Sequence, residues 1–187
     1  VFYTSAVRPE GALCDNSGTI MATSGNEYQL AEFDKNNALV LKNSFIFPKL
    51  TFETPQYGSE LNLLVLSTGG RADVMVVPVY EDETSGDAER FGIDDWSMAG
   101  MDIAKDGLGK TKRESRNGFN DGDYSSQLQF KVLEHKIKIN PEKRLKAIKV
   151  RNTRGGTTFA VLAASIKTAI PTGINNVNND SEAQVVG

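Results

Sequence analysis

Asp94-Asp95-Trp96 sets two carboxylates beside the only tryptophan of the chain. An indole face can stack on the apolar C–H side of a pyranose, with carboxylates, amides and guanidinium groups satisfying the hydroxyls. Arg113, Arg116 and Asn117 follow in the same long segment, FGIDDWSMAGMDIAKDGLGKTKRESRNGFNDGDYSSQ (91–127). Tyr57, in TPQYGSE, offers a second aromatic from another loop. Trp96, Asp95, Arg113, Arg116, Asn117 and Tyr57 are therefore the candidate ligand-binding set. A tryptophan just after a strand also commonly anchors its loop to the core, so Trp96 has two readings, sugar platform and structural anchor.

Catalytic chemistry finds little support. His135 is the sole histidine, and in VLEHKIKI it falls in phase with Ile137 and Ile139, the pattern of a partly buried strand position. A hydrolytic triad needs a histidine beside a nucleophile and an orienting acid, and nothing marks such a set. A hydrolase built on Asp94 and Asp95 would need carboxyls facing each other across a cleft, whereas adjacent strand residues point oppositely. GLGKTKR (107–113) fails the spacing of a phosphate loop. Cys14 is the single cysteine, which excludes an intrachain disulfide and a clustered zinc site. FNDGDYSS (119–126) and DETSGDAE (82–89) gather the oxygen ligands that Ca2+ requires, although Asx-Gly pairs are commoner as ordinary turns. No catalytic residue, metal ligand or cofactor is assigned.

Charge is segregated along the chain. Glu81, Asp82, Glu83, Asp87, Glu89, Asp94 and Asp95 stand against Arg90 alone, while Lys131, Lys136, Lys138, Lys143, Arg144, Lys146, Lys149 and Arg151 stand against Glu134 and Glu142. The basic run suits either a polyanion site or, more commonly, the wet face of an antiparallel sheet. With a net charge of −3, nucleic acid is not an expected partner. No apolar run is long enough to insert into a membrane as a helix. Starting at Val1 without a leader pattern, the chain reads as a mature or trimmed product.

The elements that must position these groups read as strands. ALVLK (38–42) and KLTFET (49–54) alternate at period two, and SELNLLVLS (59–67) is apolar on both faces. TGGR joins the last of these to ADVMVVPVYE (72–81) as a hairpin, with Pro78 predicting an edge or a bulge. EYQLAEF (27–33) suits a strand or a short helix. SSQLQFKVLEHKIKIN (125–140), LKAIKVRN (145–152) and TTFAVLAAS (157–165) complete the set. In the first of these three the apolar phase shifts, which predicts a bulge, bend or break near Leu133. The chain is thus expected to be all-β, an antiparallel β-sandwich or jelly roll over residues 1–167. Residues 168–187, rich in Asn, Ser and Gly, read as a linker or tail. The 91–127 segment reads as the crossing between the two sheets.

LTFETPQYGSELNLLVLSTGG, FGIDDW, GLGKTKR, EHKIKINPEKRLKAIKVRNT and FAVLAAS together resemble a β-sandwich module of secreted and surface proteins of the Bacteroidetes. The resemblance rests on Asp95-Trp96, the Gly107–Lys110 run, and Pro141, Leu145 and Ile148, and covers residues 1–166. The tail GINNVNNDSEAQVVG is similar to linkers that precede C-terminal sorting segments in those bacteria. What this implies is a galactose-binding-like jelly roll, extracellular or on the cell surface, attached to other domains of a larger protein. The expected function is a non-catalytic carbohydrate-binding or adhesion module taking a glycan or surface polysaccharide. The alternative is a structural or protein-interaction module without sugar binding.

Overall fold

Leu61, Leu63 and Val65 alternate with Asn62, Leu64 and Leu66, and all six are buried. A strand apolar on both faces has to be covered on both, and that requirement organises the fold. The computed structural model describes residues 18–32, 36–42, 46–98, 102–108 and 130–168. Within them lie β1 (Thr19–Met21), β2 (Glu27–Gln29), β3 (Leu39–Lys42), β4 (Lys49–Gln56), β5 (Glu60–Thr68) and β6 (Ala72–Tyr80). These are followed by β7 (Glu89–Ile93), β8 (Ile103–Leu108), β9 (Phe130–Lys138), β10 (Leu145–Asn152) and β11 (Thr158–Lys167). One sheet has the order β3-β11-β5-β9-β8 and a second β4-β10-β6-β7, while β1 and β2 form a separate hairpin. All the strand ladders are antiparallel. The arrangement is all-β, multi-sheet and sandwich-like.

One core lies between the two sheets, where Leu61, Leu63, Val65, Ile137, Phe159 and Val161 meet Val74, Val76, Tyr80, Ile148 and Val150. A second core lies on the opposite face of the five-stranded sheet. There the β1–β2 hairpin lays Ile20, Ala22, Tyr28 and Leu30 over Leu64, Leu66, Val132, Ala160 and Leu162. An isolated two-stranded hairpin is marginal in water, so this burial is what holds it. Polar ties add register. The Tyr28 hydroxyl and Asn26 Nδ2 (2.7 Å) both donate to Glu134 Oε1, and Thr23 N and Oγ1 both donate to Ala104 O (2.8 and 3.0 Å). Burial alone pushes the Glu134 carboxyl up, but hydrogen bonds from Tyr28, Asn26 and Ser24 outweigh it and hold the group below its ordinary range. The Tyr28 hydroxyl is pushed far up, by burial first and then by Glu134.

Three local expectations take a definite form in the structure. The phase shift in β9 is not a slip of the strand. Leu133, Ile137 and Ile139 face the inter-sheet core and Val132 faces the hairpin, so both apolar sets are covered, and the register shift at this point lies in the ladder to β8, between Ile103↔Leu133 and Lys105↔Val132. The ladder to β5 runs regularly from Glu60↔Lys138 and ends at Val65↔Leu133, so a break does fall at Leu133. Pro78 lies in β6, an interior strand, yet the ladder to β7 has already stopped at Val76↔Glu89. Gly86 N donates to Pro78 O (2.9 Å), so the side on which Pro78 lacks an N–H faces a loop, not a strand. On the β10 side the register shifts between Leu145 and Ala147, the bulge that Pro78 also suggested. Among the described residues of EYQLAEF, Glu27–Gln29 forms a strand, and Phe33 lies outside them.

The crossing itself is more structured than a loop. Its start belongs to β7, an edge of the four-stranded sheet, and Ile103–Leu108 forms β8, an edge of the five-stranded sheet. It does pass from one sheet to the other, with a strand at each landing. Arg113, Arg116, Asn117, Cys14, FNDGDYSS and the tail beyond Thr168 lie outside the described residues.

Candidate functional site

The turn between β5 and β6 sets up the Asp95 environment. Gly69 (φ +79°) and Gly70 (φ +117°) sit where L side chains are strained, and Ser67 Oγ donates to Gly70 O at 2.6 Å. This turn presents backbone N–H groups to an acceptor, and Asp95 is that acceptor. Its Oδ2 accepts from Gly70 N (2.8 Å) and its Oδ1 from Ser97 N (3.0 Å) and Ser97 Oγ (2.6 Å). Burial alone pushes the Asp95 carboxyl up. The hydroxyl and N–H of Ser97 and the N–H groups of Gly70 and Gly69 outweigh it, and the group lies below its ordinary range.

The backbone of Asp95–Trp96 explains why the β5–β9 ladder stops. Ser67 and Asp95 form a parallel bridge, Trp96 N donates to Ser67 O (2.9 Å), and Lys131 N donates to Trp96 O (3.0 Å). The dipeptide is thus a wedge between the ends of β5 and β9, taking up the hydrogen bonds that those strands would otherwise make with each other. The half-buried Trp96 ring packs against the second core, beside the layer built by the hairpin. Asp94, the neighbouring carboxylate, turns to Arg71 Nη1 (2.8 Å). Asp94 and Asp95 therefore serve different partners.

The sequence-predicted set is not assembled at one place. Tyr57 precedes β5 whereas Trp96 binds at Ser67 near its other end, about 25 Å away along an extended strand. Tyr57 is 44% exposed, with the Arg144 guanidinium 5.4 Å from its ring centre. Of the six residues, Asp95 and Trp96 are adjacent, Tyr57 is remote, and the other three are outside the described residues.

At the Tyr57 rim the two oppositely charged runs meet. Lys143 Nζ contacts Asp82 Oδ2 and Thr84 Oγ1 (both 2.8 Å), Arg144 pairs with Glu81 (3.4 Å), and Lys146 pairs with Glu83. The Asp82 carboxyl is lowered to about 2, by Lys143 first and then by the hydroxyl and N–H of Thr84. Part of the basic run thus neutralises the acidic run, while Lys136, Lys138 and Lys149 stay on the wet face. His135 bridges the sheets: its Nε2 lies 3.0 Å from Glu89 Oε1, and its ring stacks on Phe91 at 3.5 Å between centroids and 16° between planes. Among the described residues no group of three or more His, Cys, Asp or Glu side chains could hold a metal ion.

Cavities lie elsewhere, and two of them are larger than the rest described. A groove of about 700 Å³ runs between β4 and the β3–β11 edge, lined by Leu39, Leu50, Phe52, Val161 and Ala164 among others. A polar hollow of about 580 Å³ at the Tyr57 rim is lined by Tyr80, Asp87, Glu89, Lys138, Asn140 and Lys143 among others. Neither includes Trp96, Asp95 or Tyr57. The open edge of β4 was missed as a functional element. Its signal in the sequence is the alternating KLTFE bracketed by Pro48 and Pro55, residues typical of sheet edges.

A scan against protein-family models matches none of them, and a search of curated proteins finds no similar sequence.

Proposed function

We propose that this chain is a non-catalytic β-sandwich module that spaces or docks parts of a larger protein, without a sugar site at Trp96. The observation that carries this reading is the Asp95–Trp96 wedge. The two residues with the best sugar-binding chemistry are already committed, one to the N–H groups of its own loops and the other to the second core. A sugar-binding carboxylate needs lone pairs left for hydroxyls, and a platform needs an exposed aromatic face. On this reading the jelly-roll, galactose-binding-like architecture and the extracellular or cell-surface setting come with the resemblance to secreted modules, and the galactose-binding ancestry supplies a scaffold only. A glycan array tests the proposal. The expected outcome is no glycan whose binding is lost in Trp96→Phe, and a glycan whose binding depends on Trp96 would overturn it.

A further inference from the structure

β4 ends the four-stranded sheet, and among the described residues nothing pairs with its outer edge. From Lys49 to Glu53 it alternates cleanly: Lys49, Thr51 and Glu53 are exposed, while Leu50 and Phe52 pack toward the inter-sheet core. Val150 N donates to Pro48 O (3.0 Å), so the peptide groups of Pro48 and Leu50 face β10. Those of Lys49 and Thr51 therefore face outward, away from the sheet, and beyond Thr51 the ladder to β10 shifts register to Leu145↔Gln56.

We propose that this edge pairs, antiparallel, with the same edge of a second copy of the chain, about a two-fold axis at Thr51. The inference builds on the protein-interaction reading and names its partner. In this register Lys49 lies opposite the copy's Glu53, Leu50 opposite Phe52, and Thr51 opposite Thr51, and the two-fold repeats each of the first two pairs. Opposite charges, apolar pairs and Thr–Thr pairs are each favourable across an antiparallel ladder. Among the described residues nothing pairs with the outward peptide groups of Lys49 and Thr51, so the same run that supplies the side-chain pairs supplies hydrogen bonds. Moving the axis to Leu50 or Phe52 loses both ion pairs, so charge fixes the register.

Lysine and proline by themselves protect an edge from pairing. Here a glutamate at the matching position makes the edge complementary to itself. Pro48 and Pro55, which lack N–H groups, bound the ladder to the short run between them. A two-fold contact of this kind is isologous and closes as a dimer. Leu50 and Phe52 also line the apolar groove on the inner side of β4, and in the dimer the same residues of the copy extend over its mouth.

Sedimentation equilibrium of the full chain over a concentration series is the test. A monomer–dimer equilibrium is expected, weak because the interface is small. K49E and E53K should each lower the association constant about tenfold or more, and the K49E/E53K double variant should restore it to within about threefold. Both positions are exposed, so thermal unfolding of the charge variants should match the parent and confirm that they fold. Thr51→Pro, which removes the central donor, should sediment as monomer. A parent chain that stays monomeric to its solubility limit, or a dimer indifferent to the charge reversals, would overturn the pairing. Either result leaves the module reading intact, since that reading is tested separately by the glycan dependence on Trp96.

Discussion

The two rims of the sandwich carry the same kinds of residue, and beside an open ion pair of its own, Asp94–Arg71, the Trp96 rim uses one carboxylate in the opposite way. At the Trp96 rim, one carboxylate is drawn into the structure and held by backbone N–H groups, and an indole fills the space beside it. At the Tyr57 rim, carboxylates and ammonium groups pair in the open: Lys143 and Asp82 have side chains 36% and 50% exposed. The difference lies in solvent. A partly buried, hydrogen-bonded carboxylate leaves unmet donors behind when it is removed, whereas an exposed ion pair is replaced by water. Charge density in the sequence therefore says little about where charge matters.

Substitutions across the two rims should rank accordingly. Trp96→Ala should cost the most, about 3 kcal/mol in denaturant unfolding, because it empties the wedge beside the second core. Asp95→Ala should follow at about 2 kcal/mol, since the N–H groups of Gly70 and Ser97 lose their acceptor. The acid limb of stability should separate the rims too. The Asp95 carboxyl is lowered in the fold, so its contribution is present above the unfolded-state value near 4 and is lost as pH falls through the depressed one. Thermal unfolding from neutral pH down to pH 3 should consequently flatten in Asp95→Asn. It should change little in Asp82→Asn, whose carboxylate is solvated despite being lowered to about 2.

A third position sharpens the contrast. Asn62 is fully buried in β5, and neither polar atom of its side chain has a hydrogen-bond partner. It is polar like Asp95 and more deeply buried, but lacks the donors and acceptors that make burial tolerable. Asn62→Leu should stabilise the chain by about 1 kcal/mol, read as a raised melting temperature. Lys143→Ala, at the exposed rim, should have the smallest effect, about 0.5 kcal/mol or less by chemical denaturation.

The alternation of β4, β5, β6, β10 and β11 was legible because each has a wet face, a continuous apolar run or a marked turn. β7 and β8 were not, because ERFGI and IAKDGL are short and each carries charges and a glycine. IAKDGL in β8 shows no clean alternation, and its register against β9 shifts twice. β1 is three residues long and depends on the second core, a layer that no local pattern announces. Asp95 and Trp96 were picked out together, and anchoring was one of the two readings given for Trp96. What sequence could not supply was the destination of the Asp95 oxygens, which depends on Gly69 and Gly70 arriving from a hairpin 25 residues earlier in the chain. The pairing of Glu81, Asp82 and Glu83 with Arg144, Lys143 and Lys146 was hidden for the same reason, since it needs the β6–β7 loop to meet β10 and the turn before it in space.

The single tryptophan makes intrinsic fluorescence a one-site probe of the wedge. Acrylamide quenching of the native chain, set beside the unfolded chain, measures how far the indole is shielded. The wedge predicts markedly weaker quenching in the native state, unchanged by added oligosaccharides. Native quenching as strong as in the unfolded chain, or quenching that an oligosaccharide suppresses, would contradict it.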